Sequence, residues 1–234
     1  MPDVAFRCSR VAPHRTRVLW CDAVTATVWL VRHGQTDWSR SGRHTGRSDV
    51  PLDDEGRAQA ASIGSYLLTA VALPSLVLTS PLSRASETCR LAGMGGRAEY
   101  ADDLREWDYG DYEGLTTPEI RDRRPGWDLW TDGVPGGEDA AQVAGRAERV
   151  IERCREVGGE VVCFAHGHLL RVLAARWIGL APAAGRLLAL GAGAVSVLGW
   201  EREVPIVYRW NLPPWPAPGA ADQGTTVPGA AVRA

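Results

Sequence analysis

The 234-residue chain predicts a three-layer α/β sandwich built on a mostly parallel central sheet. Three observations predict it. Short runs of β-branched and apolar residues alternate with longer stretches that repeat their apolar positions at helical spacing. The strand-like runs are apolar on both faces, as strands covered by helices on both sides require. Two of them end in a His-Gly pair, so both deliver side chains to the loop edge where open α/β sheets place their sites.

Residues 1–22 carry no clean period and are read as a poorly ordered leader. Val24-Thr-Ala-Thr-Val-Trp-Leu-Val31 is the first buried strand and stops at Arg32-His33-Gly34. A polar loop runs to Val50. Asp53-Asp-Glu-Gly-Arg57 opens a helix with acids in its first turn, where the macrodipole favours them. Ala58, Ala61, Ile63, Leu67, Leu68 and Val71 form its apolar stripe. Ser75-Leu-Val-Leu-Thr79 is a second strand, and Ser80-Pro81 leads into another helix. Residues 102–137 are long, acidic and aromatic and are read as a small cap, because connections of that length usually serve function. Glu138 to Val157 is a helix ended by Gly158-Gly159. Glu160-Val-Val-Cys-Phe-Ala165 is a third strand ending at His166-Gly167-His168. Another helix follows, then strands near 193–200 and 203–210. The domain spans 23–211, and the Pro/Ala/Gly-rich tail 212–234 is read as disordered.

Composition excludes several functions. Arg plus Lys number 26 against 28 acids, a net charge of −2, so no basic surplus points to nucleic acid. Every one of those basic residues is arginine. That removes P-loop, Schiff-base and general-base lysines, and leaves Arg, His and backbone N–H groups to hold any anion. Five scattered cysteines lack a C-x-x-C spacing, which argues against a zinc site or a disulfide framework and for reduced, buried thiols. The uncharged run 60–83 is interrupted by Pro74 and Pro81 and by hydroxyls, so it is not a membrane span. No apolar block follows the N-terminal arginines, as a signal peptide would need. A cytoplasmic protein with neither nucleic-acid nor membrane partners is the expectation.

Arg32-His33-Gly34 at a strand end suits an anion pocket, since Gly permits a tight backbone and Arg donates forked hydrogen bonds. Alone it reads more readily as a histidine bonded within its loop. Arg84 after the second strand, Glu106 in the long loop and His166 at the third strand change that balance. Two histidines, two arginines and one carboxylate converge on one sheet edge.

These segments resemble the histidine phosphatase superfamily, in the branch containing cofactor-dependent phosphoglycerate mutases. The matching stretches are Leu30-Val-Arg-His-Gly-Gln-Thr-Asp-Trp38, Thr45-Gly46, Leu52-Asp-Asp-Glu-Gly-Arg-Ala-Gln-Ala60, Thr79-Ser-Pro-Leu-Ser-Arg-Ala-Ser-Glu-Thr88, Leu104-Arg-Glu-Trp-Asp-Tyr-Gly-Asp-Tyr-Glu-Gly114, Pro135-Gly-Gly-Glu138 and Phe164-Ala-His-Gly-His168. Their order and wording look most like actinobacterial acid phosphatases. The resemblance implies a phosphoglycerate mutase-like fold and a metal-independent phosphomonoesterase with no cofactor. It implies that His33 attacks phosphorus with one ring nitrogen bare and the other held as a donor. Arg32, Arg84 and a protonated His166 bind phosphate, and Glu106 gives a proton to the leaving group. Gln35, His44, Thr45 and Gly46 are candidate substrate contacts. His168 would suit a metal only with a third ligand, and no residue at sensible spacing supplies one.

Departures from the pattern bear on substrate. Ser39 stands where the family often has Asn. Glu106 and His166 are only about sixty residues apart, a shorter cap than the mutases carry, which favours water over phosphoryl return. Arg121, Arg123 and Arg124 offer a carboxylate clamp or a solvated face. The cap aromatics suggest aryl leaving groups, or simply pack the cap. Asp102, Asp103, Asp108 and Asp111 repel highly anionic substrates, so a small phosphorylated metabolite is the expected partner. The alternatives are a 2,3-bisphosphoglycerate-dependent mutase, and a non-catalytic phospho-ligand module. The strand segment 193–210 offers a surface for a homodimer.

Overall fold

The computed structural model describes residues 25–71 and 73–213. The proposed leader, Cys8, Cys21 and all but the first two residues of the tail lie outside them. The elements run β1 (Ala26–Arg32), α1 (Asp37–Ser41), α2 (Asp54–Ala70), β2 (Leu76–Thr79), α3 (Ser83–Leu91), β3 (Ala98–Tyr100), α4 (Thr117–Arg123), α5 (Leu129–Asp132), α6 (Ala140–Val157), β4 (Gly159–Ala165), α7 (Gly167–Trp177), β5 (Val195–Glu201) and β6 (Val204–Leu212). The strand order is β3-β2-β4-β1-β5-β6. The pairs β3-β2, β2-β4 and β4-β1 are parallel, and β1-β5 and β5-β6 are antiparallel.

The sheet is covered on both faces, and the period of two along β1 divides its side chains between them. Val28 and Leu30 pack with α6 and α7, in a cluster that takes in Val143, Ala147, Ile151, Leu169, Leu170 and Leu173. Trp29 and Val31 point the other way, in a cluster with Ile63 and Leu67 of α2, Cys89 of α3 and Ala92 just after it. This is the expected three-layer sandwich. Trp107, Trp127 and Trp130 are buried in the first cluster, so these three cap aromatics are packing residues.

Several elements depart from the sequence reading. The loop before Val50 contains α1, started by a reciprocal Thr36–Ser39 capping box. The cap contains α4, capped the same way by Thr116 and Glu119, and α5 behind Asp128. The short edge strand β3 was not expected. Strand β6 includes Leu212, the residue at which the tail was expected to start.

The parallel register pairs Arg32 of β1 with Ala165 of β4, so His33 and His166 emerge side by side. The His33 N–H donates to the Ala165 carbonyl at 3.0 Å, and the Ser80 N–H to the Phe164 carbonyl at 2.9 Å. Three strand ends are thereby tied at one place. Gly34 and Gly56 permit the loop behind His33 to lie against the start of α2. A Cβ on Gly34 would sit 2.2 Å from the Gly56 carbonyl oxygen, and one on Gly56 only 2.1 Å from that of Gln35. Backbone cannot yield as a flexible side chain does. Gly56→Ala is expected to cost about 2–3 kcal/mol, a drop of roughly 5–10 °C in melting temperature. An unchanged melting temperature would show that this contact is loose.

Candidate active site

Arg32, His33, His44, Thr45, Glu106, Tyr109 and His168 share one cavity of about 210 Å³, with Ser39, Gly42, Arg43 and Thr117 at its wall. His33 is buried, and its Nδ1 lies 2.7 Å from the Gly34 carbonyl oxygen. A carbonyl only accepts, so Nδ1 carries the proton and a neutral ring leaves Nε2 with a bare lone pair. Burial pushes His33 well below the ordinary imidazole range, and the Arg84 and Arg32 charges push the same way.

The Arg32 guanidinium donates from Nη1 to the Leu190 carbonyl. Its Nε is buried with no partner among the described residues. A buried unpaired donor is costly, and Arg32 lines the cavity, so its guanidinium suits an anion there.

Glu106 is placed by α7. Its Oε2 accepts from the His168 N–H at 3.0 Å, and its Oε1 from the N–H groups of Leu169 and Trp107, both at 2.9 Å. The first N–H groups of a helix lack intrahelical partners. The α7 N-cap, His166, offers no side-chain bond, so Glu106 caps the helix from about sixty residues away in sequence. Arg146 holds the Glu106 loop by donating to the carbonyls of Asp103 and Arg105, both at 2.9 Å, and pairs with Glu138 at 2.7 Å.

Arg84 and His166 are buried, and neither is among the residues lining the cavity. Arg84 is fully buried. It donates to the carbonyls of Ser48, Thr45 and Gly46 at 2.8, 2.9 and 3.0 Å, and from Nε to His166 Nδ1 at 3.2 Å. That donation leaves the His166 proton on Nε2, which meets Ser80 Oγ at 2.8 Å. The rings of His33 and His166 are 5.2 Å apart. Burial, then Arg84, His33 and Arg32, push His166 well below the ordinary imidazole range. The fork of Arg84 is already occupied by carbonyls, which is why it does not reach the cavity.

The remaining candidates divide. His44 and Thr45 line the cavity. Gly46 lines a neighbouring cleft, where its N–H donates to Glu113. The Gln35 side chain turns away and donates to Asp53 at 3.1 Å, bracing the start of α2. Three residues of the site were not picked out from sequence as site residues: Ser80, Tyr109 and His168. Tyr109 Oη lies 2.6 Å from His168 Nδ1. The available signal was position, since Tyr109 follows Glu106 by three and His168 follows His166 by two. Among the described residues no group of three or more His, Cys, Asp or Glu side chains is placed to hold a metal ion, and no helix is long and apolar enough to cross a membrane.

Four buried imidazoles bear on stability. His33, His166 and His168 are pushed well below 6.5 and His44 is lowered, burial being the largest cause in each. The unfolded chain titrates them near 6.5 and so binds more protons than the folded one below that pH. Stability is therefore full above about pH 6.5 and falls as the solution is acidified. The slope reaches about 1.4 kcal/mol per pH unit for each group. Melting temperature is expected to fall steadily from pH 7 to pH 5; a flat or rising curve would contradict the buried neutral state.

Several known proteins are similar to this chain. The chain is 40% identical over 194 residues to an acid phosphatase of Mycobacterium tuberculosis, covering 82% of this chain and 95% of that protein. It is 35% identical over 188 residues to the sedoheptulose 1,7-bisphosphatase of Saccharomyces cerevisiae, covering 68% and 69%. A solved structure of a Mycobacterium tuberculosis open reading frame product superposes with a TM-score of 0.77 at 39% identity, covering 81% of this chain and 99% of that one. The family description of the histidine phosphatase superfamily, branch 1, matches residues 28–213. With its strand-end histidines, arginines and loop carboxylate on that framework, the chain belongs to the histidine phosphatase superfamily.

Proposed function

We propose that this protein is a metal-independent, acid phosphatase-like phosphomonoesterase that hydrolyses small phosphate monoesters through a phosphohistidine on His33. The observation that carries the reading is the Nδ1–H of His33 committed to the Gly34 carbonyl at 2.7 Å, with Nε2 left as a nucleophile beside Arg32 and Glu106. A non-catalytic module would need neither a bare imidazole nitrogen nor the carboxylate. The phosphatase names of its relatives support hydrolysis.

A monoester carries roughly two negative charges near neutral pH. Arg32 donates to its oxygens, and the Arg84 charge behind His33 adds to the field. His33 Nε2 attacks phosphorus in line while the ester P–O bond breaks, and Glu106 delivers the proton the departing oxygen needs. Water then attacks phosphorus, the P–N bond breaks, and Glu106 takes up the proton of that water. Arg84 and Ser80 hold His166 against His33, so the pair keeps its geometry through both steps. Positioning and charge carry most such transfers. Free, buried thiols at Cys89, Cys154 and Cys163 fit a reducing cytoplasm.

The test is phosphate release from glycerol phosphate and phenyl phosphate with EDTA present, beside 3-phosphoglycerate with a bisphosphate primer. EDTA-resistant release without primer is expected. Release that requires added metal would overturn the reading. Primer-dependent isomerisation with little free phosphate would replace it with the mutase.

A further inference from the structure

We propose that His44 and His168 form a hydroxyl-binding subsite beside His33, so that the leaving groups the site selects are polyols, sugars or sugar alcohols, and not aryl, alkyl or second-anion groups. The proposal rests on the phosphatase reading and names its substrate class.

Both residues line the cavity that holds Arg32, His33 and Glu106. Their rings are stacked, 6.3 Å between centroids and 12° from parallel. Their hydrogen bonds impose opposite tautomers. His44 Nδ1 lies 2.8 Å from the Leu115 carbonyl oxygen. That oxygen only accepts, so Nδ1 bears the proton and Nε2 offers a lone pair. His168 Nδ1 faces Tyr109 Oη at 2.6 Å. Tyr109 is buried, and its hydroxyl has no other partner among the described residues. Burial and the nearby Glu106 charge keep that phenol protonated. Donating to His168 Nδ1 is the arrangement that does not strand its proton. The proton of the neutral His168 is therefore on Nε2.

One Nε2 accepts and the other donates, and neither is bonded within the described chain. A hydroxyl can donate to the one and accept from the other. A phosphate or carboxylate oxygen only accepts, so it takes the His168 N–H and leaves the His44 lone pair unmatched. An alkyl or aryl group desolvates both nitrogens and pairs with neither. The rings are fixed in place. Tyr109 packs its edge on His44 at 4.8 Å, and Trp130 lies against His168 at 5.4 Å. Arg43, the other cation on the wall, donates to the Gly114 carbonyl at 2.6 Å and faces Glu119, so its charge is already countered.

The test is a matched series of glycerol, erythritol and ribitol phosphates against propyl, butyl and pentyl phosphates, with 1,3-propanediol bisphosphate as the second-anion arm. The readout is the polyol-to-alkyl ratio of kcat/KM, from which any loss of active protein cancels. The wild type is expected to favour the polyol about tenfold or more at the best length. His44→Phe and His168→Phe each bring the ratio near one. His168→Gln, whose amide still donates, restores part of it. A wild-type ratio near one, a preference for the bisphosphate, or a ratio unmoved by the variants would overturn the subsite while leaving the phosphatase standing. Silence on every monoester would overturn both.

Discussion

His33→Ala is expected to lower phosphate release by roughly 10⁴-fold or more, the scale at which loss of a covalent nucleophile acts. The reason lies in one ring. The Gly34 carbonyl fixes its proton on Nδ1, and burial with the Arg84 and Arg32 charges keeps the second proton away. The imidazole packed against it cannot take its place. His166 is bonded at both nitrogens, to Arg84 and Ser80, and His168 presents N–H to the cavity. Arg32 remains in the variant, so inorganic phosphate should still bind with the chemistry removed. Steady-state phosphate release beside calorimetric phosphate binding reads the two separately. Activity within tenfold of wild type would contradict the assignment.

Glu106→Gln should cost about 10²–10⁴-fold on alkyl phosphates, the range of a lost general acid. The loss should shrink for a nitrophenyl phosphate, whose phenolate departs without a proton. The slope of log kcat/KM against leaving-group pKa should therefore steepen. The variant should also be less stable. Both carboxylate oxygens accept backbone N–H bonds, and an amide must turn its NH2 toward one of those donors. A buried N–H left unpaired costs about 1–3 kcal/mol. An equal loss for both leaving groups would mean that Glu106 only anchors α7.

The sheet and its two histidine-bearing edges were legible because burial on both faces writes itself into the strand sequences. Val28, Leu30, Val161 and Cys163 face one layer while Val31, Val162 and Phe164 face the other, so no polar position interrupts the runs. The longer helices α2 and α6 were legible from helical spacing, although of the stripe expected in α2 Ile63, Leu67 and Val71 are buried while Ala58, Ala61 and Leu68 are exposed. Helices α1, α4 and α5 were not, since five, seven and four residues are too few to show a period. Strand β3 is three residues with two exposed.

At the site, residue identity was readable and depth was not. Arg84 carries its motif, but whether its fork meets a ligand or a loop depends on where the carbonyls of Thr45, Gly46 and Ser48 turn. His166 needed its protonation read from neighbours that only the fold supplies. Gln35 sits one residue beyond the His33-Gly34 pair, and the contact between Gly34 and Gly56 brings it to Asp53 and away from the cavity. His168 was weighed as a chelator because His-x-His suggests one; its partner, Tyr109, lies 59 residues away.

The central claim is that the phosphoryl group passes through His33. The most direct measurement is rapid quench of the enzyme turning over a ³²P-labelled monoester, in alkali to preserve phosphohistidine, followed by peptide mapping. The expected result is label approaching one group per chain at saturation, on the peptide containing His33, decaying to inorganic phosphate at least as fast as steady-state turnover and absent from His33→Ala. Full turnover with no enzyme-bound phosphoryl group, or label that persists in His33→Ala, would contradict it.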